Sequence, residues 1–260
     1  MSENPGRFIW YELITSDVDA AAKFYSTVVG WTVKPSTNPD MDYRAWAMGD
    51  VMVGGLMAMP APASDQGMRP LWLGYISVPN VDESITKITA AGGTLDMPAF
   101  DIPHVGRIAM MRDPQGAAFY AMTPLASLGD QQSTAFSPGT PGHCGWNELH
   151  AQNWQTAFDF YSTQFGWQKS TAMDMGAMGT YQLFNAGAHD IGGMMNSPNF
   201  PRPIWLYYFC VEDIDAAKQR SEEAGGKTLN GPHEVPGGSW IIQGQDPQGA
   251  MFALVGPRKA

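Results

Sequence analysis

Apolar residues along the chain follow two periods. Segments near residues 7–15, 42–49, 51–58, 71–78, 94–100, 106–112 and 117–122 alternate apolar and polar positions, or run apolar for a few residues between turn residues, which predicts strands. Four other segments place apolar residues three or four apart. They open on Asp17, Asn80, Asn153 and Asp213, whose short side chains can accept first-turn amides, and close on Gly30, Gly92-Gly93, Gly166 and Gly225-Gly226. Glu83 stands three residues after Asn80, the spacing of a capping box. Four helices of roughly 11 to 14 residues are predicted.

The pattern then repeats. Trp10 to Trp31 and Trp146 to Trp167 share 10 identities in 22 positions at an offset of 136, including Trp10/Trp146, Glu12/Glu148 and Phe24-Tyr25-Ser26-Thr27 against Phe160-Tyr161-Ser162-Thr163. At an offset of 133 the match resumes with Trp72/Trp205, Leu73/Leu206, Tyr75/Tyr208 and Val78/Val211. It ends with Asp113-Pro114-Gln115-Gly116-Ala117 against Asp246-Pro247-Gln248-Gly249-Ala250. The chain therefore reads as two copies of one unit, at 1–125 and 142–260, joined by a Ser/Gly/Pro/Gln-rich linker at 126–141. Each copy is itself strand, helix, strands, written twice.

A strand, a capped helix ending in Phe-Tyr and Gly-Trp, further strands and a second such unit closing on Asp-Pro-Gln-Gly-Ala resembles the vicinal oxygen chelate superfamily. Its members include glyoxalase I, bleomycin-resistance proteins and extradiol dioxygenases. The resemblance implies an α+β fold: two tandem glyoxalase-like domains, each a pair of βαβββ modules forming an incomplete barrel around a cavity. It is similar also to tandem-domain hydroxylase-like relatives carrying Trp-x-Glu-Leu near the start of each copy.

Metal-dependent members hold a divalent ion with three or four converging N and O donors. The positions implied for them here fall on Trp10 and Trp146, Leu73 and Leu206, and Tyr120 and Ala253, none of which is a suitable donor set. Shifting by two brings Glu12 and Glu148 to the first strand, but 71–78 and 117–123 hold no His, Asp, Glu or Cys, and the second copy adds only Cys210. No metal and no other cofactor is expected.

With Trp10 on an inward face, alternation puts Glu12 on the same face, and Trp146, Glu148 and His150 form the matching row. Tyr75, Tyr120 and Tyr208 are expected to join them as ligand-binding groups, with Arg107 aimed at an anionic ligand group. Glu12 and Glu148 are the candidate catalytic carboxylates, tuned by desolvation beside an indole. A structural role stays open for both, paired with Arg107 or Arg44. Ile14 stands where His150 does, so a working His150 would make the copies unequal. His104, His143, His189 and His233 read as solvated loop residues, and the 17 Met as adaptable core filling. Gly54-Gly55 and Gly192-Gly193 mark close approaches within strands.

Composition narrows the partners. With 25 acidic against 15 basic residues the net charge is −10, which argues against nucleic acid and anionic membrane surfaces. Two cysteines in no C-x-x-C pair suit a reducing cytoplasm, and the first residues carry no export signal. The expected partner is a small molecule, and the chain a monomer or homodimer. Three functions stay open: a metal-independent protein binding a small, partly aromatic metabolite with acid/base chemistry by a strand Glu; a pure sequestering binder of an antibiotic or toxin; or a metal-dependent lyase or dioxygenase.

Overall fold

The computed structural model describes residues 6–35, 42–60, 68–125, 133–197 and 200–259. The first copy runs β1 (Phe8–Thr15), α1 (Val18–Val28), β2 (Thr32–Pro35), β3 (Tyr43–Met48) and β4 (Val51–Ala58). It continues with β5 (Leu71–Ser77), α2 (Val81–Ala90), β6 (Thr94–Ile102), β7 (Gly106–Arg112) and β8 (Ala118–Pro124). The second copy repeats this order. Its first half is β9 (Cys144–Ala151), α3 (Trp154–Phe165), β10 (Gln168–Asp174), β11 (Thr180–Asn185) and β12 (Asp190–Asn196). Its second half is β13 (Ile204–Cys210), α4 (Ile214–Glu223), β14 (Lys227–Glu234), β15 (Trp240–Gln245) and β16 (Met251–Gly256).

Each predicted cap is made. Asp17 accepts from Ala20 N at 2.9 Å, Asn80 from Glu83 N at 3.1 Å, Asn153 from Thr156 N at 3.0 Å and Asp213 from Asp215 N at 3.1 Å. The helices are slightly shorter than expected, 10 to 12 residues, and Gly30, Gly92, Gly166 and Gly225 all sit at positive φ where a side chain would be strained. The sequence pattern misses β2, a four-residue edge strand containing Pro35, too short to show a period.

Two eight-stranded sheets result, ordered β2-β3-β4-β1-β5-β8-β7-β6 and β10-β11-β12-β9-β13-β16-β15-β14. Within each module the first strand pairs parallel with the last, as β1 with β4 and β9 with β12. The terminal strands of each order do not pair, so neither sheet closes into a barrel. Among the described residues no helix is long and apolar enough to cross a membrane.

The compact units do not follow the repeat. One gathers the described parts of 1–9, 74–133 and 147–205, so β5–β8 share it with β9–β12; the other gathers 10–73, 134–146 and 206–260, joining β1–β4 with β13–β16. Part of the predicted linker is built in: Ala135 is fully buried, and Ser137 N and Cys144 O bond at 2.9 Å.

The duplicated motifs meet inside these units. In the second unit the Tyr25 hydroxyl of α1 donates to Asp246 Oδ2 at 3.1 Å while accepting from Trp72 Nε1 at 2.9 Å. In the first, Tyr161 of α3 donates to Asp113 Oδ2 at 3.2 Å and accepts from Trp205 Nε1 at 2.9 Å. The other oxygen of each carboxylate closes its own Asp-Pro-Gln-Gly turn, Asp113 Oδ1 accepting from Gln115 N and Ala117 N, Asp246 Oδ1 from Gln248 N and Ala250 N. Each tyrosine thus bonds the turn of the other copy. Burial pushes both carboxyls above the ordinary 3.8, against the pull of these donors, and it pushes the Tyr25 hydroxyl well above 10, helped by the charge of Asp246.

Two outcomes are expected. Tyr25→Phe leaves a buried carboxylate and an indole N–H short of a partner and should cost about 1–3 kcal/mol of unfolding free energy, read from the denaturant midpoint. Because Asp113 and Asp246 have raised folded-state values, their contribution is present below pH 3.8 and is lost as pH rises through the folded values. Stability profiles over acidic pH should therefore be flatter in Asp113→Asn and Asp246→Asn than in the wild type.

Candidate functional site

The site starts from a pair of glycines. In β4 and β12 the neighbours Gly54-Gly55 and Gly192-Gly193 point to opposite sheet faces. A Cβ on Gly54 or Gly192 would overlap the backbone carbonyl of Tyr11 or Asn147, which is what permits the close parallel pairing with β1 and β9. A Cβ on Gly55 or Gly193 would overlap the ring of Tyr43 or Tyr181, so on this face a tyrosine lies directly over the strand. The register then puts Glu12 beside Gly55 and Glu148 beside Gly193. Both carboxylates are buried, with 3% and 6% exposure.

From this shared base the copies diverge. In the first, the Tyr43 hydroxyl accepts from Trp10 Nε1 at 2.9 Å. In the second, the Tyr181 hydroxyl donates to Glu148 Oε2 at 2.9 Å. His150, 4% exposed, brings Nε2 to 2.5 Å from Glu148 Oε1, and its Nδ1 lies 2.6 Å from Ser197 Oγ. The Nε2 approach is close but not in line, so it falls short of a formed hydrogen bond. The Phe200 ring covers the imidazole at 4.4 Å. Ser197 N bonds Ala151 O at 2.9 Å, just as Met59 N bonds Thr15 O at 2.7 Å in the first copy. Ile14 and Met59 therefore occupy the places of His150 and Ser197.

The other predicted residues scatter. Tyr75 and Tyr120 do come together, in register on β5 and β8, with rings stacked at 4.3 Å. Tyr208 accepts from Gln243 Nε2 at 2.7 Å and is buried with Leu206 and Ala253, against which Trp146 packs. Arg107 is turned to the surface, where it bonds both oxygens of Asp82 at 2.9 and 3.0 Å and reaches Asp101 at 3.2 Å. Arg44 pairs with Asp19 at 2.6 Å, and among the contacts described neither arginine meets Glu12 or Glu148. His104, His189 and His233 are exposed, but His143 is buried and bound to Thr134 O, which corrects its reading as a solvated residue.

Tyr43, Tyr181 and Ser197 escape the sequence reading. The tyrosines left one signal: each precedes its Gly-Gly pair by 11 residues or so in both copies. Ser197 left none.

A divalent ion of the kind the resemblance implies does not fit these side chains. Among the described residues no three His, Cys, Asp or Glu are placed to share an ion.

Comparison with known proteins gives a consistent outline. The family model described as Glyoxalase/Bleomycin resistance protein/Dioxygenase superfamily matches residues 7–120 and again 141–254. "Putative glyoxylase CFP32" of Mycobacterium tuberculosis is 33% identical over 251 residues, covering 95% of this chain and 94% of its own. "Anthracycline biosynthesis protein DnrV" of Streptomyces peucetius is 30% identical, covering 96% and 93%. The Mn(II)-bound glyoxalase of Novosphingobium aromaticivorans shares the fold, with a TM-score of 0.64 at 15% identity over 98% of this chain and 83% of its own.

Gly193→Ala should displace Tyr181 from Glu148. The expected result is a loss of about 1–3 kcal/mol in unfolding free energy from overpacking, measured by denaturant titration. An unchanged midpoint would show that the tyrosine does not depend on the bare strand.

Proposed function

Because the chain belongs to the glyoxalase/bleomycin resistance protein/dioxygenase superfamily, we propose that it binds a small, partly aromatic organic molecule and carries out non-redox acid/base chemistry at Glu148, without a divalent ion. The observation that carries this reading is the buried Glu148 carboxylate held between the Tyr181 hydroxyl at 2.9 Å and the His150 imidazole at 2.5 Å. Tyr181 fixes the direction of the carboxylate and donates to Oε2. Oε1 is then the oxygen that takes a proton from a bound carbon or hydroxyl acid, with the His150 ring packed beside it. The names of the anthracycline-biosynthesis relatives favour a ligand with a fused aromatic body.

The first copy supports a second role. Its face keeps Trp10, Glu12 and Tyr43 but has Ile14 and Met59 where proton-carrying groups stand in the second. There the reading is binding alone, an indole and a phenol offering apolar area with a few polar anchors.

Native mass spectrometry of untagged protein purified without added metal tests the first claim. The bare chain, or the chain with an organic mass, is expected; a stoichiometric divalent ion would overturn the metal-free reading. With the ligand so identified, Glu148→Gln should lower turnover by about 10²–10⁴-fold, the usual worth of a positioned acid or base. Glu12→Gln should weaken binding and leave turnover in place. Equal turnover in Glu148→Gln and wild type would remove Glu148 as the base.

A further inference from the structure

The second copy holds an arrangement that proton transfer from Glu148 alone does not require. We infer that Ser197 is a nucleophile for small activated carboxylic esters, driven by the line Ser197–His150–Glu148. This shares Glu148 with the acid/base reading but needs a hydroxyl, an imidazole and a carboxylate in sequence, and it is independent of which metabolite the chain binds.

Three observations carry it. The spacing is that of a nucleophile, its base and an orienting carboxylate: Ser197 Oγ lies 2.6 Å from His150 Nδ1, and His150 Nε2 lies 2.5 Å from Glu148 Oε1. One tautomer suits both ends. An ionised carboxylate only accepts, so Nε2 carries the hydrogen, and the bare Nδ1 accepts from the serine hydroxyl. The Nε2 contact is short but misaligned, and a small rotation of the ring or the carboxylate would bring it into line.

The second observation is the way the line is held. Tyr181 donates to the far oxygen of Glu148, Phe200 covers the imidazole, and the backbone bond from Ser197 N to Ala151 O fixes the serine at the end of β12. Third, burial is graded along it. Glu148, His150 and Tyr181 are buried, whereas Ser197 is half-buried, so the serine is the least buried member of the line. The first copy, with Met59 and Ile14 in these places, has no such line.

The chemistry closes with water as the only co-reactant. Ser197 Oγ attacks the acyl carbon and passes its proton to His150 Nδ1. The bond to the leaving alkoxide breaks, and the alkoxide takes that proton. A water, deprotonated by Nδ1, then adds to the acyl-serine, the serine–acyl bond breaks with the proton returning to Oγ, and a carboxylic acid is released.

The full chain should be treated with a fluorophosphonate, which forms an Oγ–P bond and expels fluoride, and separately with p-nitrophenyl acetate. A single adduct mapped to Ser197 is expected, together with nitrophenolate release above the buffer rate. Ser197→Ala should lose both, and His150→Gln should slow both by about 100-fold or more. Ser197→Cys guards against a folding defect, because its thiol should be alkylated by iodoacetamide faster than in a Ser197→Cys, His150→Gln double variant. No adduct on the wild type, an adduct elsewhere, or unchanged esterolysis in Ser197→Ala overturns the inference. If Glu148-dependent turnover of the retained ligand persists while Ser197 stays unlabelled, the acid/base reading stands and the nucleophile falls. If Ser197 is labelled but Glu148→Gln leaves that turnover intact, the reverse holds.

Discussion

The scaffold depends on a hydrogen bond between a helix tyrosine of one copy and a turn aspartate of the other. Tyr25 to Asp246 and Tyr161 to Asp113 are formed in separate compact units by motifs 136 and 133 residues from their duplicates. A buried carboxylate without donors is costly, and each aspartate receives two backbone amides and one hydroxyl, while each hydroxyl is in turn held by an indole. A single copy contains the tyrosine and the aspartate but not their pairing as built here. The repeated Phe-Tyr and Asp-Pro-Gln-Gly sequences are therefore explained by assembly of the units, and they leave the sheet faces free to differ.

That freedom is used at two positions. Replacing Ile14 and Met59 of the first copy by His150 and Ser197 of the second turns an apolar stretch into a connected polar line. The two replacements belong together. A buried imidazole facing a methionine would leave a ring nitrogen unsatisfied, at a cost of about 1–3 kcal/mol. Ser197 gives Nδ1 its partner, and Nε2 is set against the Glu148 carboxylate.

Much of the architecture was legible because it is written locally. Caps at Asp17, Asn80, Asn153 and Asp213, glycine stops, and strand alternation all act within a few residues, and the repeat supplied each of them twice. The face carrying Glu12 and Glu148 followed from the same alternation. What the sequence hid was set by pairing over distance. Tyr181 meets Glu148 from 33 residues away and Ser197 meets His150 from 47, through the registers of β11 with β12 and β12 with β9. Arg107 shows the converse. Its place at a strand start suggested an anion, and Asp82, 25 residues back on α2, satisfies that demand internally.

The same face explains how a family scaffold can keep a polar centre with a different donor set. The first-strand position that the resemblance assigns to a metal ligand is Trp10 or Trp146, and the carboxylate stands two residues further along the same face. A buried carboxylate in such a place needs stabilisation from a cation or from hydrogen-bond donors. At Glu148 a donor is supplied by Tyr181, which the bare strand at Gly193 allows to lie over it, and the His150 imidazole packs against the other oxygen. The bare glycine, the tyrosine and the histidine thus form one solution, in which backbone space lost at a strand becomes the hydrogen bond that holds a charge.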